Sequence, residues 1–236
     1  MRPGIFLPRK EYGAMSITKA WDWSKNTDGY WLEPCVEAAY LAERWHGAGK
    51  TRFADIGCGL GRHTVYMASH GFEVTAFDLS EQAVKHTGEW AARAGYTLST
   101  AVCNMLELPY GDGVFDCAMA YNVIYHTDTQ GFVRALSEIR RVLRPGGELF
   151  LTLISKNTAG FENADPSKII DANTVAFDEV EAGENVPHFF VDFEDIQALL
   201  ADWEFVLLPK EWCDYSMLKP EGFSRHWSML VRNPEK

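Results

Sequence analysis

The central part of the chain alternates between strand-like and helix-like segments, and this pattern restricts the fold more than any other feature. Apolar runs typical of buried strands begin with RFADI and recur as FEVTAFD, TLSTAVCN, VFDCAMAYNVI and ELFLTLIS. Amphipathic segments typical of helices separate them: GRHTVYMASH, SEQAVKHTGEWAARAG and DTQGFVRALSEIRRVLRPGG. Such alternation predicts an α/β fold, in which helices cover both faces of a doubly wound, mainly parallel sheet. Ligands of such sheets bind at the carboxyl ends of the strands.

The segment before the first predicted strand follows a different pattern. Residues 1 to 29 have no clear periodicity and are rich in aromatic and charged side chains. A helix is predicted from Tyr30 to Trp45, with Pro34 tolerated in its first turn.

The alternation of strand-like and helix-like segments also ends after the fifth predicted strand. Residues 156–191 contain few apolar runs, and a stretch of that length inside a domain is typical of a lid or substrate loop. DFEDIQALLAD predicts a helix capped by Asp192, and EFVLLPKEW and SRHWSMLVRN predict two antiparallel strands. We therefore predict a single domain, 1–236, with four parts: an N-terminal lid and helix (1–46), a cofactor-binding core (51–155), an insertion or substrate lid (156–191), and a C-terminal helix and hairpin (192–236).

A glycine-rich turn, FADIGCGLGRH, follows the first predicted strand. Gly57, Gly59 and Gly61 stand at alternate positions between that strand and a helix. Glycines let a ligand approach the main chain, and a helix N-terminus offers unpaired N–H groups. The next strand ends in Asp78, where a carboxylate can accept both hydroxyls of a ribose. A dinucleotide fingerprint, G-x-G-x-x-G, would need a glycine at Arg62, so an oxidoreductase is disfavoured.

The pattern D-x-G-x-G-x-G resembles motif I of the class I S-adenosylmethionine-dependent methyltransferases. The resemblance runs from about Arg52 to Ser155: LPYGDGVFD is similar to that family's L-P-F-x-D-x-x-F-D, and RVLRPGG to its R-V-L-K-P-G-G. It implies a Rossmann-like, seven-stranded sheet with a C-terminal antiparallel strand. It also implies S-adenosyl-L-methionine as cofactor and S-adenosyl-L-homocysteine as product.

The resemblance further implies a set of cofactor contacts. Asp55 would contact the methionine amino end, Asp78 the ribose, and Asn104 the adenine amino group, although most relatives carry an acid at that position. The side-chain carbonyl of Asn104 can still accept that hydrogen bond. The full expected set is Asp55, Gly57, Cys58, Gly59, Gly61, Asp78, Leu79, Asn104, Met105, Leu106, Tyr121, Asn122 and Trp31.

Methyl transfer needs alignment and exclusion of water more than a charged catalytic pair. For an acceptor that carries a proton, His126, beside Tyr125, is the first candidate for a base or orienting group, and His188 is the second. The alternative for each is an ordinary structural histidine.

Tryptophans cluster before the first strand, where many small-molecule methyltransferases place a lid. Trp21, Trp23 and Trp31 form this cluster, with Tyr30 and Trp31 as the preferred lid residues. Core packing is the alternative interpretation, and so is attraction of a sulfonium or cationic amine by the aromatic faces.

Composition excludes several functions. The 236 residues include 22 basic and 33 acidic side chains, a formal charge of −11, so no nucleic-acid or membrane partner is expected. The five cysteines lack metal or disulfide spacing, and no metal site is expected. No signal or membrane-span pattern is visible, which favours a cytoplasmic protein, as a monomer or homodimer. The leading hypothesis is methyl transfer to a small molecule; the alternatives are a protein or RNA methyltransferase and a non-catalytic S-adenosylmethionine-binding protein.

Overall fold

The computed structural model describes residues 16–25, 29–179, 182–214 and 224–235. The predicted alternation of strands and helices is confirmed in the central region. After helix α1 (Glu37–Gly47), the elements are β1 (Arg52–Ile56), α2 (Arg62–Ser69), β2 (Glu73–Asp78), α3 (Glu81–Arg93), β3 (Ser99–Val102), β4 (Phe115–Ala120), α4 (Thr129–Val142) and β5 (Leu143–Ser155). The later elements are α5 (Ala159–Glu162), β6 (Ile169–Asp171), β7 (Thr174–Glu179), β8 (Gly183–Val191), α6 (Phe193–Leu199), β9 (Glu204–Asp214) and β10 (Ser224–Arg232).

The main sheet has the predicted Rossmann-like form. Strands β3, β2, β1, β4 and β5 lie side by side in that order and run parallel. Strand β10 pairs antiparallel with β5, and β9 pairs antiparallel with β10, which accounts for the seven predicted strands; through β8 the described sheet extends to β7 and β6, ten strands in all. All five carboxyl ends of the parallel strands therefore meet at one edge of the sheet.

Two hydrophobic cores cover the opposite faces of this sheet, because successive side chains of a strand point to opposite sides. In β1, Phe53 packs in the core that holds Leu41 and Trp45 of α1, whereas Ala54 packs in the core that holds Phe132 of α4. The same alternation continues through β4 and β5. Helices on both faces, as predicted, are thus dictated by the apolar runs in the strands.

The helix predicted from Tyr30 is wrong at its start, since α1 begins at Glu37. Residues Gly29–Leu32 form a separate 3₁₀ turn before Pro34. The residue before a proline disfavours helical backbone, so the two turns do not merge. Helix α4 likewise ends at Val142, three residues before Pro145, rather than at the proline itself.

The segment 156–191 is more regular than its composition indicates. Strands β6, β7 and β8 form an antiparallel sheet, and β8 joins the main sheet by pairing Phe190 and Val191 with the end of β5. The side chains from Val186 to Val191 are buried. The prediction of an irregular loop missed this, because glycines, acids and asparagines interrupt the apolar residues of β7 and β8.

Within the described ranges, no helix combines the length and the apolar character that crossing a membrane would require.

Gly61 shows why the turn after β1 requires a glycine. Its φ is +95°, in the left-handed region, and it directly precedes α2. A Cβ at this position would also lie 2.8 Å from Thr87 Oγ1 of α3. Gly71 has a similar φ of +83° but has open space around it.

These two glycines make a matched pair for a stability test. Gly71→Ala should cost only the backbone penalty, about 1 kcal/mol of unfolding free energy. Gly61→Ala adds a steric conflict with Thr87 and should cost about 2–5 kcal/mol, measured by urea unfolding. Equal losses for the two variants would contradict this explanation of Gly61.

Candidate active site

A cleft opens at the carboxyl ends of the parallel strands. Its empty space, including solvent at the mouth, is about 900 Å³. The ends of β1, β2, β3 and β4 supply most of its wall, and side chains from two described stretches, 18–23 and Trp31, supply the rest. The lining residues are Thr18, Lys19, Trp21, Trp23, Trp31, Gly57, Cys58, Gly59, Leu60, Arg62, His63, Phe77, Asp78, Leu79, Cys103, Asn104, Met105, Tyr121, Asn122, Val123 and His126.

Asp78 connects the ends of β1 and β2. Its Oδ2 accepts a hydrogen bond from the Gly59 amide at 3.0 Å, and its Oδ1 accepts one from the Ser80 amide at 2.9 Å. Burial raises the pKa of Asp78, and these amide hydrogen bonds oppose the increase. Each carboxylate oxygen has a further acceptor direction, so Asp78 can bind hydroxyl groups in the cleft as well.

Asn104 lies at the end of β3, with both ends of its side-chain amide in hydrogen bonds. Oδ1 accepts from the Leu106 amide at 3.0 Å, and Nδ2 donates to Thr18 Oγ1 at 3.1 Å. The second contact joins β3 to the N-terminal segment across the cleft.

Arg62 places a buried positive charge beside the cleft. Its side chain donates to the carbonyl oxygens of Tyr30 and Glu33 at 3.1 and 3.3 Å, and it is 6% exposed. The guanidinium carbon lies 5.0–5.2 Å from the ring centres of Tyr30, Trp31 and Tyr121, which is cation–π geometry. Among the described residues it has no ion pair with a carboxylate, so it is available to an anionic group of a ligand.

His126 borders the cleft on the side of Trp21. The two ring centres are 5.0 Å apart, and His126 Nδ1 is buried without a hydrogen-bond partner in the described part of the chain. Burial lowers its pKa well below the usual value, and the nearby His188, with its ring centre 4.7 Å away, acts in the same direction. His126 is therefore neutral near pH 7 and can accept a proton.

The geometry of this cleft agrees with comparisons to known proteins. A family described as "Methyltransferase domain" matches residues 54–151, which include the ends of β1 to β4. Residues 54–151 thus match a methyltransferase domain, and the fold is shared with solved structures of S-adenosylmethionine-dependent methyltransferases.

Individual relatives are similar over a limited part of their length. The 27-O-demethylrifamycin SV methyltransferase of Amycolatopsis mediterranei is 32% identical over 180 residues, 68% of this chain and 65% of the relative. The ubiquinone biosynthesis O-methyltransferase of Xanthomonas euvesicatoria is 32% identical over 131 residues, 53% of this chain and 52% of the relative. The chain spans about half the length of the curated relatives it matches.

The same fold occurs in solved structures. The 1,6-didemethyltoxoflavin-N1-methyltransferase of Burkholderia thailandensis, solved with its substrate and S-adenosylhomocysteine, superposes with a TM-score of 0.60. The match covers 89% of this chain and 80% of that one at 22% identity, and it supports the fold alone.

Most of the residues predicted for the methyltransferase domain's cofactor line the cleft. Nine do so: Gly57, Cys58, Gly59, Asp78, Leu79, Asn104, Met105, Tyr121 and Asn122. Trp31, from the predicted lid, lines it too, whereas Tyr30 packs against Trp31 and Arg62 without lining it. Of the two predicted catalytic residues, His126 lines the cleft.

Four predicted residues do not line it. Asp55 is 2% exposed behind the glycine turn and accepts a hydrogen bond from Thr64 Oγ1 at 2.6 Å; burial raises its pKa to about 6. Gly61 instead forms the start of α2, and Leu106 and Tyr125 are buried in the core. The lining of the cleft therefore gives no direct contact between these four residues and a bound molecule. The Asp55 carboxylate nevertheless lies close enough to Asp78 for their charges to interact.

His188, the second candidate base, also lies away from the cleft's wall. Its Nδ1 is 3.1 Å from the Val186 carbonyl oxygen, and its Nε2 is 3.3 Å from Glu179 Oε1. It packs behind His126 rather than facing the cleft.

Some residues of the wall were not predicted. Thr18, Lys19, Leu60, Phe77, Cys103 and Val123 line the cleft without a sequence signal of their own. Leu60 and Val123 lie beside motif residues and could have been found by extending those motifs by one position. Thr18 and Lys19 precede any periodic segment, so only the folded structure brings them to the site.

Buried neutral histidines make the fold sensitive to acid. Burial lowers the pKa of His63 to about 3 and that of His188 to about 4, against an ordinary value of 6.5. Below pH 6.5 the unfolded chain therefore binds protons that the folded chain does not, and stability is lost as the pH falls towards 4. Asp55 has the opposite effect, because its raised pKa makes the folded state take up a proton below about pH 6.

His63→Gln isolates one of these contributions. His63 Nε2 accepts a hydrogen bond from the Cys35 amide at 3.1 Å, and a glutamine oxygen can accept the same bond without titrating. The loss of unfolding free energy between pH 6.5 and 5 should be about 2 kcal/mol smaller in this variant than in the wild type. The exposed His46, changed to Gln, is the control and should leave the pH dependence unaltered. Identical pH profiles for H63Q and the wild type would rule out His63 as a cause of acid sensitivity.

Proposed function

We propose that the chain binds S-adenosyl-L-methionine in this cleft and transfers its methyl group to a small-molecule acceptor, releasing S-adenosyl-L-homocysteine. The observation that carries the proposal is the arrangement of Asp78 beside the open glycine turn, at the carboxyl ends of adjacent parallel strands. The class of the domain supports the cofactor assignment.

The polar and charged groups of the cleft suit three parts of this cofactor. The ribose hydroxyls bind the Asp78 carboxylate, and adenine lies between Leu79 and Met105 next to Asn104. The methionine end lies along the glycine turn towards Tyr121 and Asn122, and its carboxylate pairs with the buried Arg62. The Asn122 side chain is fixed in position near the methionine end, because its Oδ1 accepts a hydrogen bond from Thr152 Oγ1 at 2.9 Å. The backbone of Asn122 has a φ of +54°.

The transfer is an in-line displacement at the methyl carbon. A lone pair of the acceptor atom forms the new bond while the carbon–sulfur bond breaks, and its electrons neutralise the sulfonium. An acceptor bearing a proton must also lose it. In this proposal His126 takes that proton, since it is neutral, borders the cleft and has a buried nitrogen without a partner in the described chain.

A small acceptor is favoured over a macromolecule by two features. The chain carries a formal charge of −11, which opposes RNA. Aromatic side chains of Trp21, Trp23 and Trp31 also cover the cleft, leaving an apolar entrance suited to a compact organic molecule. The relatives named as O-methyltransferases favour an oxygen acceptor. Protein methylation and cofactor binding without transfer are the competing functions.

Asp78→Asn tests the cofactor site. Loss of the charge weakens two hydroxyl contacts, so the dissociation constant for S-adenosyl-L-methionine should rise at least about tenfold in calorimetry. Asp202→Asn, an exposed carboxylate paired with Arg140, is the matched control and should bind as the wild type does. NAD should bind neither the wild type nor the control. Unchanged affinity in D78N, or tighter binding of NAD, would reject this assignment.

His126→Ala tests the proposed base. The wild type is first incubated with S-adenosyl-L-methionine and a panel of phenols, amines and thiols, and release of S-adenosyl-L-homocysteine is measured. With a proton-bearing acceptor from this panel, H126A should lower kcat about 100-fold or more, with cofactor affinity within about twofold of the wild type. The exposed His46→Ala should leave both values unchanged.

The other results separate the competing functions. Undiminished kcat in H126A removes His126 from the reaction, and a loss confined to His188→Ala would assign the base to the second candidate. Tight cofactor binding without transfer to any acceptor of the panel would favour the non-catalytic function.

A further inference from the structure

Asparagine at the adenine end of the cleft raises a problem of orientation. An aspartate offers hydrogen-bond acceptors at both ends of its carboxylate, whereas a carboxamide offers an acceptor at one end and a donor at the other. Only the oxygen of Asn104 can accept from the amino group of adenine. If the amide turned over, its NH₂ group would face that amino group, and two donors would oppose each other.

Two contacts hold the side chain of Asn104 in one orientation. The Leu106 amide donates to Oδ1 at 3.0 Å, and Thr18 Oγ1 accepts from Nδ2 at 3.1 Å. The first contact comes from the chain directly after β3. The second comes from a residue 86 positions earlier, in the segment that covers the cleft.

The oxygen of Asn104 retains binding capacity in this orientation. A carbonyl oxygen has two acceptor directions, and the Leu106 amide uses one of them. Asn104 is only partly buried and lines the cleft together with Met105 and Thr18, so the remaining direction is accessible to a bound molecule.

We propose that Thr18 is a positioning residue for cofactor recognition: its hydroxyl fixes the Asn104 amide so that Oδ1 accepts from the adenine amino group. The inference rests on the proposed binding of S-adenosyl-L-methionine. The inference adds Thr18 as the partner that lets an asparagine recognise adenine, whereas an acid at this position would need no partner to orient it. It also gives the N-terminal segment a part in selecting the base of the cofactor.

The selectivity for the base follows from this arrangement. S-adenosyl-L-homocysteine carries the amino group, and S-inosyl-L-homocysteine carries a carbonyl oxygen in its place. A fixed Asn104 oxygen attracts the first and repels the second. A site built to bind a polar group rejects an analogue that cannot make the bond.

The experiment measures dissociation constants of both compounds by calorimetry for the wild type, Thr18→Val and Thr18→Ser. The wild type should prefer S-adenosyl-L-homocysteine by about tenfold or more. T18V keeps the shape of the side chain but loses the acceptor, so the Leu106 amide alone holds the Asn104 side chain and the turned-over form, which presents NH₂ to inosine, becomes more populated; the preference should fall by about 3–10-fold. T18S keeps the hydroxyl and should keep the preference.

Asn104→Asp provides an internal control. Both oxygens of an aspartate accept, so N104D should prefer S-adenosyl-L-homocysteine at least as strongly as the wild type does. Adding T18V to N104D should then change that preference by less than about twofold, because no orientation remains to be fixed. Thermal unfolding of each variant verifies that it is folded.

Three results would overturn the proposal. If T18V weakens the binding of both compounds equally, Thr18 only holds the N-terminal segment over the cleft. If T18V has the same effect with Asn104 and with Asp at that position, orientation of the amide is not its role. If the wild type binds neither compound, the proposed function itself fails, which is distinct from an unchanged ratio in a protein that binds both.

Discussion

The hydrogen bond from the Gly59 amide to the Asp78 carboxylate is the contact on which the cleft depends. It joins the turn after β1 to the end of β2, while the other carboxylate oxygen accepts from the amide of Ser80. Ser80 in turn caps α3, since its Oγ accepts from the Ala83 amide. One side chain therefore fixes the glycine turn and the start of a helix, and it keeps acceptor directions towards the cleft. Structural and binding roles at Asp78 are inseparable, which explains why an acid here is more than a helix cap.

The charges around the cleft suit a cofactor that is itself charged at several points. S-adenosyl-L-methionine carries a sulfonium, an ammonium and a carboxylate. Asp78 and Arg62 line the cleft, and the buried Asp55 carboxylate lies close enough to both for their charges to interact. The histidines on the wall, His63 and His126, are kept neutral by burial and so do not repel the sulfonium. Desolvation thus has two consequences: it removes positive charge from the reaction centre, and it makes the imidazolium that forms when His126 accepts a proton less stable.

The cofactor half of the site could be predicted from the sequence because topology determines it. Residues at the carboxyl ends of parallel strands meet at one edge, so the positions after β1, β2 and β3 converge whatever the details of packing. Asp55 is an exception, since its side chain turns back to Thr64 rather than towards the cleft. Tyr125 is another, because its neighbour His126 takes the position facing the cleft and the tyrosine ring packs into the core. Spacing places a residue at a strand end, but it does not determine which way the side chain points in a non-periodic loop.

The proposed acceptor half of the site depends on chain segments outside the family match. The family match ends at residue 151, whereas Thr18, Trp21 and Trp23 lie before its start at residue 54. Behind His126, strand β8 places His188 against the ring, Glu179 of β7 contacts His188, and the Phe189 amide donates to the Tyr125 carbonyl. The segment 156–191, whose composition looked irregular, thus supports the loop after β4. In the proposed function, the methyl donor binds to residues inside the family match, and the surroundings of the acceptor are built by segments outside it, which contact the matched region through Thr18 and Asn104 at one end and Arg62 at the other.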